Sequence, residues 1–306
     1  MTTQLTAEER EALLEQRDAL TAEAKANWGD PQWRAAMAQA ITDAIYWGFT
    51  HEDLLGLMTT VETTDEGGRI FVKETRGLRA FWTARGAYIE ASTLHSEVFE
   101  MKPDPIGFHV YEFDQKLRNN FGETQQTLID LGIERLSAEV NLRMLRLFEA
   151  AVPIGSAQYV SGAGVSLTAV DDAIDQVIDE SRDQTITIVG RRTMVGQIAT
   201  QIGTNTMFLP NTNEEILRTG VLGTYRGAQI AYLTNWKDDQ DVSFFPANEM
   251  FVIGRDASKA GFWGGLENME WTDNNWYWHY IAKREFGAIV HRPERLRRIV
   301  DTTKTP

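Results

Sequence analysis

The sequence contains no cysteine. Disulfides, thiolate metal ligands and cysteine nucleophiles are excluded together, and the absence fits a reducing compartment. Histidine is scarce. His51, His95, His109, His279 and His291 are scattered, and none sits in an H-E-x-x-H or comparable ligand spacing, so no metal is expected. No apolar run approaches the ~18 residues that a membrane span needs. Met1 to Lys25 is polar and acidic, without a basic start and apolar centre, so no secretory signal is expected. There is no G-x-S-x-G nucleophile elbow and no Walker A sequence. Positive charge is also short, with 30 Lys and Arg against 44 Asp and Glu and a net charge of -14. That argues against a coat that grips nucleic acid through phosphate, but it permits a surface that nucleic acid slides past, because like charge repels.

What is present is ordinary globular composition, 42% hydrophobic and 24% charged over 306 residues, enough for a sizeable core. Thr6 to Lys25 reads as a solvated helix, with Thr6 and Glu9 as a capping box. Its thin apolar face (Leu13, Leu14, Leu20) predicts that it lies on a partner or frays. Asp30-Pro31 starts a second helix, to about Trp47, with Trp33, Met37, Ile41 and Tyr46 near helical spacing. Up to Glu66 there are 13 acidic and 4 basic residues.

The sign then reverses. Arg69, Lys73, Arg76, Arg79 and Arg85 face a single acid, Glu74, between positions 69 and 85. Residues 69–74 are strand-like, Phe81-Trp82-Thr83 reads as the returning strand, and Gly77 and Gly86 punctuate the segment. A long hairpin with polar positions on both faces has little to bury against its own domain. It is expected to project and to meet acidic surface on a neighbouring copy.

Ile106 to Phe113 is a predicted strand. From Gly122 to about Val152 runs the longest helical pattern, with Ile129, Ile133, Leu136, Val140, Met144 and Leu147 on one stripe. Pro153 and Gly155 stop it. At 1.5 Å per residue it spans roughly 40 Å, a structural spine. A short acidic helix to about Asp183 and a β-branched strand at 185–189 follow. Strands are also predicted at 229–233, 250–253 and 287–290, and a basic tail runs from His291 to Arg298.

Two motifs compete with bland alternatives. Strand, glycine and helix at 185–202 invite a dinucleotide site, but Gly190 is followed by Arg191 and Arg192 and the next glycine is Gly196. The G-x-G-x-x-G approach to a pyrophosphate is therefore missing, and no cofactor is expected. The stretch from Glu270 to His279 holds Trp271, Trp276 and Trp278 beside Glu270 and Asp273. It can be read as a sugar-stacking enzyme site with paired carboxylates, or as core or interface aromatics; the second is preferred.

The order of elements (acidic arm, long hairpin, strand, spine helix, glycine-rich crossover, short helix, mixed lobe, terminal strand) resembles the major capsid protein of tailed double-stranded DNA bacteriophages, including those of actinobacteria. Soft patterns carry the same resemblance: Gly223-Thr224-Tyr225-Arg226-Gly227, Phe245-Pro246-Ala247-Asn248 and Arg284 to Pro293. The resemblance implies an α+β Hong Kong 97-like capsid fold. The implied divisions are an N-terminal arm at 1–60 and an E-loop hairpin at 61–105, with its loop at about Gly67 to Ile89. A P-domain at 106–184 carries the spine at 123–152, an A-domain spans 185–280, and a C-terminal P-domain strand and tail span 281–306. It implies a structural protein without enzymatic activity that assembles into pentamers and hexamers of an icosahedral head around double-stranded DNA. Expected inter-subunit contacts are Arg69, Lys73, Arg76, Arg79, Phe81, Trp82 and Arg85, with hinges at Gly67, Gly68, Gly77 and Gly86. The arm is expected to reach neighbours through Trp28, Trp33, Met37 and Ile41. Implied partners are other copies, packaged DNA bound without sequence specificity, and portal, scaffolding and decoration proteins. A separate scaffolding protein is expected because no scaffold-like segment precedes the arm. The place of action is the virion capsid, assembled in the bacterial cytoplasm, with no membrane partner. The same fold also serves encapsulin-type nanocompartments, which remain an alternative beside the sugar-active enzyme.

Overall fold

Two sheets share one long helix. A computed structural model describes residues 7–52, 55–76, 95–181, 185–191, 193–198, 221–233 and 246–304. The chain opens with helices α1 (Ala7–Asn27), α2 (Pro31–Glu52) and α3 (Leu55–Met58). Strands β1 (Thr60–Thr64), β2 (Ile70–Arg76), β3 (His95–Met101) and β4 (Asp104–Phe113) follow. Helices α4 (Asp114–Asn119) and α5 (Phe121–Ala151), strand β5 (Tyr159–Gly162) and helix α6 (Leu167–Glu180) come next. The chain continues through β6 (Ile186–Arg191), β7 (Val221–Tyr225), β8 (Ala228–Leu233) and β9 (Glu249–Gly254). It ends with β10 (Ser258–Thr272), β11 (Tyr277–Val290) and β12 (Leu296–Asp301).

The spine predicted at 123–152 is α5. Leu128, Leu136, Val140, Met144 and Phe148 are buried along it, spaced four or eight residues apart as one helical face requires. One side of this stripe meets the four-stranded sheet β1-β10-β11-β4, through Phe108, Tyr280 and their neighbours. Its C-terminal end meets the six-stranded sheet β5-β12-β9-β6-β8-β7, where the Phe148 and Phe251 rings lie 6.0 Å apart. Helix α6 covers the other face of that sheet with Val170, Ala173, Ile174 and Val177.

The N-terminal helices correct the expectation of an arm. Ile41 and Trp28 are 0% and 4% exposed within the chain's own core, and Trp33 and Met37 pack on the same cluster. Trp28 stacks edge-on against Phe121 at 5.5 Å, and its indole N–H donates to Asp114. Two glycines let α2 settle this closely on α5. A Cβ on Gly48 would lie 2.2 Å from Ile133 Cδ1, and one on Gly132 would lie 2.9 Å from Ile45 Cδ1. Lifting α2 away would expose Ile41, Ile45 and Phe49, each worth about 1.5–3 kcal/mol when buried. That cost holds the helix on its own body. Helix α1 likewise rests on α5, where Gly122 N–H donates to Thr21 Oγ1 at 3.2 Å.

Other boundaries move as well. Strand β11 runs through the expected A-domain limit at 280/281 and pairs with β10 and β4 in the four-stranded sheet. Residues 258–280, read as A-domain, therefore belong with the spine-bearing half. Conversely β12, read as a P-domain tail, lies between β5 and β9 in the six-stranded sheet. Helix α6 and β5, expected with the P-domain, also join that sheet. The basic tail is not solvated. Arg295, Arg297 and Arg298 are buried, because Asp256, Gln176 and the Glu149–Glu249 pair receive them.

Candidate assembly surface

The hairpin predicted to project is β2 paired with β3, in register from Ile70 opposite Met101 to Arg76 opposite His95. The returning strand is therefore 95–101. Phe81-Trp82-Thr83, with Gly77, Arg79, Arg85 and Gly86, lies outside the described residues, and Arg76 ends β2. The root is a tight turn. Gly67 takes φ +77°, a left-handed conformation natural to glycine. Gly68 N–H donates to Asp65 C=O at 3.0 Å, and Trp263 Nε1–H donates to Gly68 C=O at 2.8 Å. The two expected hinge glycines are thus a turn tied to the sheet on which the hairpin sits.

Alternation gives the hairpin two unlike faces. Ile70, Val72 and Met101 point inward and are 1%, 7% and 3% exposed against Trp263 and Ile289. The expectation of little burial against its own domain fails for this face. The reason is a paired gap in the sheet beneath. Gly261 lies directly opposite Gly287, and a Cβ on either would come within 2.4 Å of Ile70 Cδ1 or 2.6 Å of Lys102 C=O. The outer face stays bare. Phe71 and Val98 are 49% and 60% exposed, beside exposed Lys73. Arg69 pairs with Glu100 at 3.7 Å, also in solvent.

The same face of the four-stranded sheet continues beyond Trp263 and carries aromatic side chains no element covers among the described residues. Trp271 lies flat on His279, with ring centroids 4.7 Å apart and planes 2° apart. His109 Nε2 and His279 Nδ1 share a 3.0 Å hydrogen bond. Tyr111 and Phe113 pack edge-on against Tyr277. At the β10–β11 turn, Asp273 Oδ1 accepts the N–H groups of Asn275 and Tyr277, both at 2.9 Å. The Tyr277 N–H, aided by those of Asn275 and by His279, holds the Asp273 carboxyl below its usual range. Glu270 accepts the indole N–H of Trp278 at 3.1 Å and faces Arg34 at 3.8 Å. Both carboxylates of the sugar-enzyme alternative are thus engaged in holding the hairpin. Among the described residues no three His, Asp or Glu side chains converge on a metal position, and no helix is long and apolar enough to cross a membrane.

Sequence reasoning read the stretch from Glu270 to His279 as core or interface aromatics and missed Tyr111 and Met269 as surface residues. The signal was there in the alternation of 277–286, where Trp278, Tyr280, Ala282, Arg284 and Phe286 turn inward and their neighbours outward.

Residues 32–281 match the family model described as SPbeta prophage-derived putative capsid protein YonB. No curated protein matches the sequence. Among solved structures, the capsid of cyanophage P-SCSP1u is 13% identical and superposes with a TM-score of 0.56, over 82% of this chain and 87% of that one. A Mycobacterium phage Ogopogo chain is 14% identical with a TM-score of 0.56, over 81% and 91%. A virus-like particle from Pyrococcus furiosus is 10% identical with a TM-score of 0.52, over 85% and 98%. At such identities the likeness is one of fold, the Hong Kong 97-like capsid fold.

Proposed function

The chain belongs to the YonB family of phage capsid proteins, and from that premise we propose that it builds a closed icosahedral head of pentamers and hexamers around double-stranded DNA. Its role is structural, not catalytic. The observation that carries this reading is the hairpin β2–β3. It is a two-stranded ribbon whose inner face is fixed to its own sheet while Phe71 and Val98 stand in solvent. An isolated apolar ribbon face of this kind is a contact awaiting a second molecule. The contacts proposed with neighbouring copies are Arg69, Lys73, Arg76, Arg79, Phe81, Trp82 and Arg85. With Gly67-Gly68 tied down at the root, Gly77 and Gly86 are left as the proposed hinges. Many such contacts acting together stabilise a shell from weak pairs. The net negative charge leaves packaged DNA free to move. Portal, scaffolding and decoration proteins complete the particle, which forms in the host cytoplasm.

Negative-stain electron microscopy of the purified, concentrated protein is the test. Closed particles built of five- and six-subunit clusters are expected, and a preparation holding only monomers would overturn the reading. The nanocompartment alternative is kept beside this reading, since the fold alone, shared also with a virus-like particle from Pyrococcus furiosus, does not separate the two. Portal and terminase genes beside this one, rather than a cargo enzyme, decide for the phage head.

A further inference from the structure

The outer face of the four-stranded sheet is roofed at one end by the chain's own hairpin, over Trp263 and Ile289. At the other end it is an open platform around Trp271, where Tyr111 and Met269 are 64% and 63% exposed. Three ionisable groups are set into that platform: His109 on β4, His279 on β11 and Asp273 in the β10–β11 turn. His109 Nε2 and His279 Nδ1 are 3.0 Å apart. The ring centroids are 5.3 Å apart, so the two nitrogens lie between the rings and the imidazoles meet end to end. A metal ion in the gap would need the nitrogens about 4 Å apart, whereas a proton fits the gap as it stands. On the far side of His279, Nε2 is buried and faces Asp273 Oδ2 at 3.5 Å. Trp271 lies flat on His279, with centroids 4.7 Å apart, and its ring is 5.6 Å from that of His109.

The proton positions follow from this order. Asp273 is held as a carboxylate, first by the Tyr277 N–H, so it can only accept, and His279 keeps its proton on Nε2. His279 Nδ1 is then the acceptor, and His109 donates from Nε2. That leaves one bare nitrogen, Nδ1 of His109, on an exposed residue. A proton arriving from solvent bonds there. The cation it creates strengthens the hydrogen bond that His109 donates, lies near the indole of Trp271 and is balanced by Asp273 across His279. A second proton has only His279 Nδ1 to occupy. It would set two N–H groups and two positive rings head to head at 3.0 Å, so the contact must break. The other ionisable groups on this face are Tyr111, Tyr277, Glu285 and the Glu267–Lys283 ion pair at 2.7 Å. Glu112 and Glu270 turn to the opposite side, where Lys116 and the Trp278 indole hold them.

We propose that Asp273, His279 and His109 form a proton-operated latch, which ties the side-chain layer of β4 to that of β11 while it holds no more than one added proton and opens when the second binds. Mild acid would thus reshape the platform around Trp271. The latch lies within one chain and stands or falls independently of the capsid reading.

The full chain, labelled with nitrogen-15 in its histidines alone, reads the latch directly by nuclear magnetic resonance, and His109→Gln and His279→Gln identify the two sets of signals. As pH falls from about 8 to about 5, the range in which imidazoles change charge, His109 should become doubly protonated while His279 keeps a bare Nδ1. His279 should gain its second proton only in a later step, together with loss of the coupling across the hydrogen bond. A proton on His279 Nδ1 at the alkaline end, or the same titration of His279 in the parent and in His109→Gln, would overturn the proposal. Stability gives a second reading. The unfolded chain can charge both rings and the closed latch only one, so falling pH favours unfolding. Below about pH 6 the unfolding constant of the parent should rise by up to about tenfold per pH unit more than that of His109→Gln, whose amide can turn its oxygen to a charged His279. Parallel curves for the two proteins would mean that no proton operates the contact, and would leave the capsid reading untouched.

Discussion

In the six-stranded sheet, β9 sends Met250 and Val252 to one layer and Phe251 and Ile253 to another, and none is more than 3% exposed. In the four-stranded sheet, β11 buries Trp278, Tyr280 and Phe286 on one side while Tyr277 stands 38% exposed on the other. The first is finished within one chain and the second is half-finished. A layer covered on both faces can tolerate charge only where every group is paired. A layer open on one face keeps its apolar side chains for another molecule. Mutations in the two sheets should therefore separate. Those in the six-stranded sheet cost folding, and those on the open face of the four-stranded sheet cost assembly alone.

The largest separation is expected at Arg298. This side chain, 5% exposed, reaches Glu249 and Glu149 and ties β12 to the end of the spine. Arg298→Leu leaves Glu249, only 11% exposed, unpaired, a loss of about 3–5 kcal/mol. Urea unfolding would read it as a lower midpoint at unchanged slope. Replacing Glu249 by Leu in the same chain should recover much of the loss, because a matched apolar pair substitutes for a buried ion pair. If the single variant keeps its stability but loses particles, the six-stranded sheet is not the self-sufficient half.

A middle-sized effect is expected where the two halves of the open face meet. At Gly287 any side chain comes within 2.6 Å of the Lys102 carbonyl and 3.0 Å of Trp263. Gly287→Val should lift the hairpin root and cost about 1–3 kcal/mol through overpacking. Limited proteolysis would show earlier cutting between β2 and β3, while the six-stranded sheet stays protected. Equal loss of protection in both sheets would show that they unfold as one unit and would blunt the comparison.

How much of this was legible depended on how local the cause was. The spine declared itself because Leu136, Val140, Met144 and Phe148 repeat on one face, and Pro153 ends the pattern within the same segment. Strands β4, β6, β8 and β9 were similarly readable from their own residues. The destination of α2 was not. Gly48 and Gly132 look like ordinary helix glycines until the two helices cross, and only then does each remove a Cβ from the other's path. The burial of the basic tail was not legible, because its partners, Asp256, Glu249 and Glu149, come from distant parts of the sequence. The β10–β11 hairpin was hidden by the register shift between Trp263 and Glu267, which breaks the period of two. On the candidate surface, the outgoing strand of the cationic hairpin was legible, whereas its return, read at Phe81-Trp82-Thr83, is the strand 95–101. The hairpin's anchorage was not legible, since Trp263 and the Gly261–Gly287 gap lie nearly two hundred residues further on.

The smallest effect concerns pH and the end of β12. Asp301 is 1% exposed. One of its oxygens accepts the Thr303 hydroxyl at 2.6 Å, the Thr303 N–H at 3.0 Å and the Gly164 N–H at 2.9 Å. Led by the Thr303 hydroxyl, these donors pull the carboxyl from 3.8 down to about 2, since each favours the ionised form. A depressed folded value means that the carboxylate stabilises the protein fully above its unfolded value, and that the contribution fades as pH falls from about 4 towards about 2. Asp301→Asn keeps an acceptor oxygen but has no proton to take up. The parent should therefore be the more stable protein at neutral pH, its urea midpoint should fall more steeply than that of the variant through this window, and the two should converge near the bottom of it. Parallel curves throughout would mean that the clip joining β12 to the Gly164 loop is indifferent to charge. Because the clip belongs to the finished sheet, the same acid step should leave the platform of Tyr111, Met269 and Trp271 without any Asp301-linked change.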